Sequence, residues 1–250
     1  MVNIIINGCN GKMGRAVAEC AKNNAGVNIL AGVDISATGG CDFPVYDSIS
    51  KVTGKADAVI DFSNPAALKA VTDYCVNTKT ALVECTTGLS EEQIKLLGDI
   101  SAEIPVFFSA NMSLGVNLLC ELAKKAAKIL GDSFDIEIVE AHHNQKLDAP
   151  SGTAIMLADS IEEGLNYTPD YEYNRHIKRC KRPVHEIGMH SIRGGTIVGE
   201  HEVIFAGNDE ILKISHSARS KALFAAGAVN AALFVSGREP GMYKMKDMLK

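Results

Sequence analysis

The sequence predicts an α/β protein in two parts: an N-terminal parallel sheet covered by helices, then a smaller α+β part with a mixed sheet. Three observations carry this. In the N-terminal part, short apolar runs alternate with helical patterns across short links, which places helices on both faces of a parallel sheet. Near residue 113 the pattern gives way to one long helix and a strand that alternates apolar and polar side chains. Glycine-rich breaks then divide three further strand-like runs, as hairpins do, so the second sheet is at least partly antiparallel.

Ile4-Ile5-Ile6 reads as a buried strand, followed by glycines and a helix through Val17 and Cys20. Asn28 to Val33 is a second strand, ending at Asp34. Ala58 to Phe62 is another, and Ser63-Asn64-Pro65 opens a helix with proline where no amide donor is needed. Ala81 to Glu84 and Pro105 to Phe108 are further strands; between them Ser90-Glu91-Glu92-Gln93 has the form of a capping box. Leu114 to Leu130 is the long helix. In the next strand Phe134, Ile136, Ile138 and Ala141 oppose Asp135, Glu137 and Glu140. A polar loop, His142 to Pro150, leads into a helix starting at Ser151 or Gly152. Between Glu186 and His216 the breaks are Gly194-Gly195 and Gly207-Asn208-Asp209. Ser220 to Ser236 is an apolar, alanine-rich helix. The expected domains are 1–112 and 113–219, with segment 220–250 returning to the first.

Composition narrows the function. Of 250 residues 46% are hydrophobic, enough for a sizeable core, and the net charge of −5 argues against a general nucleic-acid binder. The seven cysteines include no Cys-x-x-Cys pair, which suggests neither a disulfide framework nor a zinc site and fits a reducing compartment. The N-terminus reads as a strand, not a signal peptide, and no run of about 18 apolar residues predicts a membrane span. A soluble cytoplasmic protein is expected.

Gly8-Cys9-Asn10-Gly11-Lys12-Met13-Gly14 follows a strand and opens a helix. Glycines there allow a tight turn and close approach of a pyrophosphate, and the helix start offers free amides and partial positive charge. A plain glycine turn would look the same locally. Asp34 adds context, because a carboxylate at the end of the second strand accepts hydrogen bonds from ribose hydroxyls. The first part therefore reads as a Rossmann dinucleotide-binding domain. Asp34 repels the 2′-phosphate of NADPH and is followed by Ile35 and Ser36, not by a base, which favours NADH. Lys12 in the loop keeps NADPH open.

The loop from Glu140 to Thr153 carries the densest chemistry. His142, His143 and Lys146 can exchange protons. Ser151-Gly152-Thr153 begins a helix whose amides and hydroxyls suit a carboxylate, and also suit a simple cap. Adjacent histidines in an extended segment point apart, so no metal site is expected.

The run His142-His143-x-x-Lys146-x-Asp148-Ala149-Pro150-Ser151-Gly152-Thr153-Ala154 resembles the signature of the dihydrodipicolinate reductase family. Gly8 to Gly14, Asp61-Phe62-Ser63, Thr86-Thr87-Gly88, Ser109 to Asn117, Gly194 to His201 and Phe224 to Ala228 resemble further blocks of that family, in order along the chain. The resemblance implies reduction of a cyclic, unsaturated dicarboxylate, 4-hydroxy-tetrahydrodipicolinate, by NADH or NADPH, in a homotetramer. It implies that His142 is the acid/base group, that Lys146 donates a proton, and that His143, Ser151, Gly152 and Thr153 hold substrate. Gly8, Cys9, Asn10, Gly11, Lys12, Met13, Asp34, Cys85, Thr86, Thr87, Ser109, Ala110, Asn111 and Met112 would line the cofactor. The family commonly has glycine where Cys85 stands; a side chain there either narrows the cofactor path or points into the core.

The basic run Arg175, Lys178, Arg179, Lys181 and Arg182 reads as a solvated loop sooner than as a steering patch. His190, His201 and His216 read as sheet-face residues and Lys221 as a surface lysine. Three rival functions remain: another two-domain Rossmann dehydrogenase acting on an amino acid or sugar, a non-catalytic NADH-binding regulator, and a degenerate family member that binds NADH without turnover, against which His142 and Lys146 argue.

Overall fold

A computed structural model describes residues 1–36, 40–109 and 111–249. In chain order the elements are β1 (Val2–Asn7), α1 (Lys12–Lys22), β2 (Val27–Val33), β3 (Val45–Tyr46), β4 (Ala58–Asp61), α2 (Leu68–Thr78), β5 (Ala81–Glu84), α3 (Glu91–Ile100) and β6 (Pro105–Phe108). There follow α4 (Leu114–Leu130), β7 (Asp135–His142), α5 (Gly152–Glu162), β8 (Asp170–Glu172), β9 (Glu186–Arg193), β10 (Gly199–Ala206), β11 (Ile211–Ala218), α6 (Ala222–Val235) and β12 (Gly241–Tyr243). The chain divides into two units: Met1–Ser113 with Lys221–Lys250, and Leu114–Ser220.

The first unit is a parallel sheet in the order β12-β6-β5-β4-β1-β2-β3. Its strands are covered on both faces, which is why Ile4, Ile5 and Ile6 are all fully buried. Ile4 and Ile6 face a core made with Val17 and Ala21 of α1 and Ala225, Ala228 and Val229 of α6. Ile5 faces the opposite core, made with Leu68, Val71 and Cys75 of α2 and Leu97 and Ile100 of α3. The small residues of α6 have a steric reason: a Cβ on Gly227 would lie 1.7 Å from the Met112 carbonyl oxygen. Ser90 caps α3 in a capping box with Gln93.

The second unit is a mixed sheet in the order β11-β10-β7-β9-β8. β10 runs antiparallel to β11 and β7, while β7, β9 and β8 are mutually parallel. One face packs Ile136, Ile138, Ile187, Val203 and Phe205 against Val116, Leu119 and Ala123 of α4 and Leu157 and Ile161 of α5.

Two expectations are corrected here. Gly207-Asn208-Asp209 does close a hairpin, with the Gly207 amide on the Glu210 carbonyl, but Gly194-Gly195 does not, because β7 lies between β9 and β10. The glycines instead bond to the end of β7: Gly194 N donates to His142 O and Asn144 N to Gly195 O. Glu140 is not on the open face. It shares the period-two face of Ile136 and Ile138 and is 1% exposed.

The basic run is also not simply solvated. Arg175 pairs with Glu137 at 2.5 Å and with Glu186, Lys178 pairs with Glu172, and Arg182 reaches Asp135 at 2.8 Å and Glu137 at 3.2 Å. Among the described residues no helix is long and apolar enough to cross a membrane.

Candidate active site

The glycine loop is shaped by sterics. Gly8 has φ +79°, and a Cβ there would lie 2.6 Å from the Phe62 carbonyl oxygen. A Cβ on Gly14 would lie 2.1 Å from the Gly8 carbonyl oxygen, so α1 can start against the loop only with glycine at that point. The cap position, Gly11, supplies no side-chain acceptor for the first turn of α1. Lys12 is exposed and Met13 half-buried. Asp34 is fixed at the end of β2: its Oδ2 accepts from Asn10 N and its Oδ1 from Ser36 N, each at 3.0 Å. Each oxygen keeps a lone pair for a further donor. Gly8, Gly11, Val33, Asp34, Phe62 and Asn64 border a cavity of about 380 Å³. That size, the bare backbone and the carboxylate fit part of a dinucleotide.

Three residues expected at the cofactor turn inward. Cys9, Cys85 and Met112 are buried in the core that α6 helps to form, so only their backbone is available to a ligand. The Cys85 side chain therefore does not narrow a path. Burial, reinforced by Glu84 and Asp61, pushes its thiol well above the ordinary value, leaving it protonated and inert. Thr87 is exposed, and the Thr86 amide donates to Glu84 Oε1 at 2.7 Å. Ser109 Oγ donates to the Asn111 carbonyl at 3.0 Å, and Asn111 Oδ1 accepts from Ser113 N at 2.8 Å. Ala110 lies outside the described residues.

In the second unit, His142 ends β7, buried, with Nδ1 2.6 Å from Glu140 Oε2. Glu140 is held in turn by the two terminal Arg193 guanidinium nitrogens, at 2.8 and 2.7 Å, and by the Ser151 amide at 3.1 Å. Burial alone would raise the Glu140 carboxyl; the Arg193, His142 and Ser191 hydrogen bonds outweigh it and hold it at about 2. The carboxylate is thus an anion at neutral pH and an acceptor only. His142 Nδ1 must carry the proton it shares with Glu140, which leaves Nε2 as the atom that exchanges protons. Gly199 makes room there: a Cβ on it would lie 3.1 Å from Nε2.

Behind this pair, His201 stacks edge-on against His142 at 5.2 Å and lies 3.0 Å from Ser151 Oγ. Burial first, then the His142 charge, lower His201 to about 4, so at neutral pH it is an uncharged hydrogen-bond partner of the Ser151 hydroxyl. Ser151 is buried and also accepts from Ala154 N at 3.2 Å, capping α5. Its amide and hydroxyl together fix the helix start. Gly152 is open at the first position of α5 and Thr153 is half-buried beside it. Lys146 Nζ lies 2.8 Å from Asp148 Oδ1, with 21% of its side chain exposed, and His143 is half-buried. Among the described residues no group of three or more His, Cys, Asp or Glu is arranged to hold a metal ion.

Glu140, Arg193 and His201 are the functional candidates that the sequence did not bring forward. A Glu two positions before a catalytic His on one strand was a usable signal, since i and i+2 share a face. Arg193 and His201 meet the pair only through register, His142 opposite Arg193 and Glu140 opposite His201, which no local pattern encodes.

A parallel sheet of this order, with a glycine turn opening its first helix and a carboxylate ending the next strand, defines a dinucleotide-binding protein of the Rossmann class, and a mixed sheet bearing an imidazole–carboxylate–arginine cluster follows it in the chain. Residues 2–112 match the family Dihydrodipicolinate reductase, N-terminus, and residues 115–249 match Dihydrodipicolinate reductase, C-terminus. The chain belongs to the dihydrodipicolinate reductase family. It is 52% identical to the 4-hydroxy-tetrahydrodipicolinate reductase of Caldanaerobacter subterraneus subsp. tengcongensis, over 100% of this chain and 99% of the relative. It is 49% identical to that of Clostridium tetani, over 100% and 97%. Among solved structures, a dipicolinate-bound dihydrodipicolinate reductase from Paenisporosarcina sp. TG-14 shares the fold with a TM-score of 0.82 at 24% identity, covering 98% of this chain and 97% of that one. A myo-inositol 2-dehydrogenase from Lactobacillus plantarum gives a TM-score of 0.60 at 12% identity, over 94% and 88%.

Proposed function

We propose that this protein catalyses the NAD(P)H-dependent reduction of 4-hydroxy-tetrahydrodipicolinate to tetrahydrodipicolinate, with the ring hydroxyl leaving as water, in lysine and diaminopimelate biosynthesis. The observation that carries the reading is the His142–Glu140–Arg193 cluster beside the start of α5, in a chain so close to reductases of that name. The bound nicotinamide supplies the hydride. In the first unit, the backbone of Gly8 to Met13 would hold the pyrophosphate and Asp34 would accept ribose hydroxyls, with Thr86, Thr87, Ser109, Ala110 and Asn111 as further contacts. An uncompensated carboxylate at Asp34 favours NADH over NADPH.

In the second unit, His143, Gly152 and Thr153 hold substrate carboxylates, with Ser151 fixing the helix start. Lys146 gives a proton to the substrate as negative charge develops, and the ion pair with Asp148 holds that amine in place. His142 exchanges protons through Nε2 while Glu140, bonded to Nδ1, fixes the tautomer and orientation of the ring. The site of action is the cytoplasm, in keeping with seven unbonded cysteines. The assembly is a homotetramer. Leu114, Leu118 and Leu122, exposed at four-residue spacing on α4, and the edge strand β11 give it apolar and hydrogen-bonding surface.

The test is a coupled absorbance assay. The unstable substrate is generated from pyruvate and aspartate semialdehyde by a synthase, and oxidation of NADH or NADPH is followed. Oxidation that requires both the synthase and this protein is the expected result. No oxidation, with NADH still bound, would move the assignment to another substrate.

A further inference from the structure

Asp61 and Glu84 end the neighbouring parallel strands β4 and β5 at the same register, and both are wholly buried. The groups that face them come from every element around: Asn7 of β1, Ser63 after β4, Cys75 of α2, and Cys85 and Thr86 after β5. No cation stands among these. Asp61 Oδ1 accepts from Asn7 Nδ2 at 2.9 Å and from Ser63 N at 3.0 Å. Glu84 Oε1 accepts from Thr86 N at 2.7 Å. The other two oxygens, Asp61 Oδ2 and Glu84 Oε2, are buried with no hydrogen-bond partner among the described residues.

Two adjacent carboxylates sealed from water without a cation cannot both stay ionised. The Thr86 hydroxyl has one proton, which serves one oxygen and leaves the repulsion of two charges untouched. The donor that closes this network is a proton on one of the carboxyls themselves. We propose that Asp61 and Glu84 share one proton, in a carboxylic acid–carboxylate hydrogen bond between Asp61 Oδ2 and Glu84 Oε2, and that this bond ties the loop after β4 to the loop after β5.

Both loops belong to the cofactor side. Phe62, Ser63 and Asn64 border the cavity beside the glycine loop, and Thr86 and Thr87 are proposed nicotinamide-side contacts. Asp61 and Glu84 touch no cofactor; they are positioning residues, and their link to binding rests on the reading of that site given above. Burial, and next the Asp61 charge, push Glu84 up to about 8. The shared proton is therefore retained at neutral pH and lost as pH rises through that value.

The experiment is urea unfolding of the full chain from about pH 6.5 to pH 9.5, in wild type and Glu84→Gln, with NADH affinity measured by fluorescence over the same range. The glutamine amide donates to Asp61 and does not titrate. Relative to this variant, the wild-type folding constant should fall about tenfold per pH unit up to about pH 8 and level off above it. NADH affinity should hold to that pH in wild type, then fall by up to about tenfold per unit, and stay constant in Glu84→Gln. Parallel stability profiles would overturn the shared proton. A wild-type stability slope with pH-independent NADH affinity would overturn its tie to the loops. A stability slope without NADH binding at any pH supports the shared proton and counts against the cofactor reading alone. Where Glu84→Gln does not fold, Asp61→Asn replaces it. The infrared carbonyl band of a protonated carboxyl in wild type, expected at pH 7 and lost above about pH 9, needs no variant; its absence at pH 7 would also overturn the proposal.

Discussion

Replacing Glu140 by glutamine keeps the shape of the side chain and removes its charge. The carboxylate accepts from His142 Nδ1 at 2.6 Å, from two Arg193 nitrogens at 2.8 and 2.7 Å, and from Ser151 N at 3.1 Å. Glutamine offers one acceptor oxygen, and its amide group must face donors. Arg193 would be left half-paired beside a buried amide, a class of change that costs about 3–5 kcal/mol. The carboxyl itself gives a similar figure. Its fall from an ordinary 4.5 to about 2 corresponds to roughly 3 kcal/mol at 1.4 kcal/mol per pH unit. Since the folded value is depressed, this stability is present above pH 4.5 and lost as pH falls from there towards 2. Urea unfolding at pH 7 should therefore show Glu140→Gln less stable by about 3 kcal/mol, and the variant should lose less than wild type on acidification. A loss under about 1 kcal/mol, or an unchanged acid limb, would refute the reasoning.

Three further outcomes follow from the geometry. Lys146→Ala should lower kcat about a hundredfold or more with NADH binding unchanged, read by steady-state kinetics and fluorescence titration. Asp34→Asn should raise the ratio of kcat/KM for NADPH over NADH by about tenfold, because one repulsive charge near the 2′-phosphate is worth roughly 1–2 kcal/mol. Gly14→Ala should weaken NADH binding severely and lower the melting temperature, since its Cβ meets the Gly8 carbonyl oxygen at 2.1 Å and backbone cannot yield cheaply.

Much of the first unit was readable because local chemistry and fold agree there. Ile4-Ile5-Ile6 is apolar on both faces, as a doubly covered parallel strand must be, and glycines at positions 8 and 14 mark contacts that no Cβ survives. The inward turn of Cys85 was one of the two readings its sequence position offered, but that of Cys9 and Met112 was not readable, because which way a loop side chain points depends on the helix packed behind it. In the second unit the His and Lys residues announced themselves by type. Glu140 was misplaced because Ala141 and Val139 blur the alternation, and burial of a charge contradicts the hydropathy pattern unless its arginine is known. That arginine lies 53 positions away and is delivered by the parallel pairing of β7 with β9. The same pairing explains the Gly194-Gly195 misreading: glycines announce a turn but not the strand to which the chain returns.

His142, oriented by Glu140, is the proposed proton-exchanging group of a nicotinamide-dependent reduction. The most direct measurement compares wild type with His142→Gln in the coupled assay, with NADH dissociation constants determined on the same preparations. The kcat of His142→Gln should be lower by about a hundredfold or more and its dissociation constant within about twofold of wild type. Full turnover by His142→Gln, or a loss of activity matched by an equal loss of NADH affinity, would contradict it.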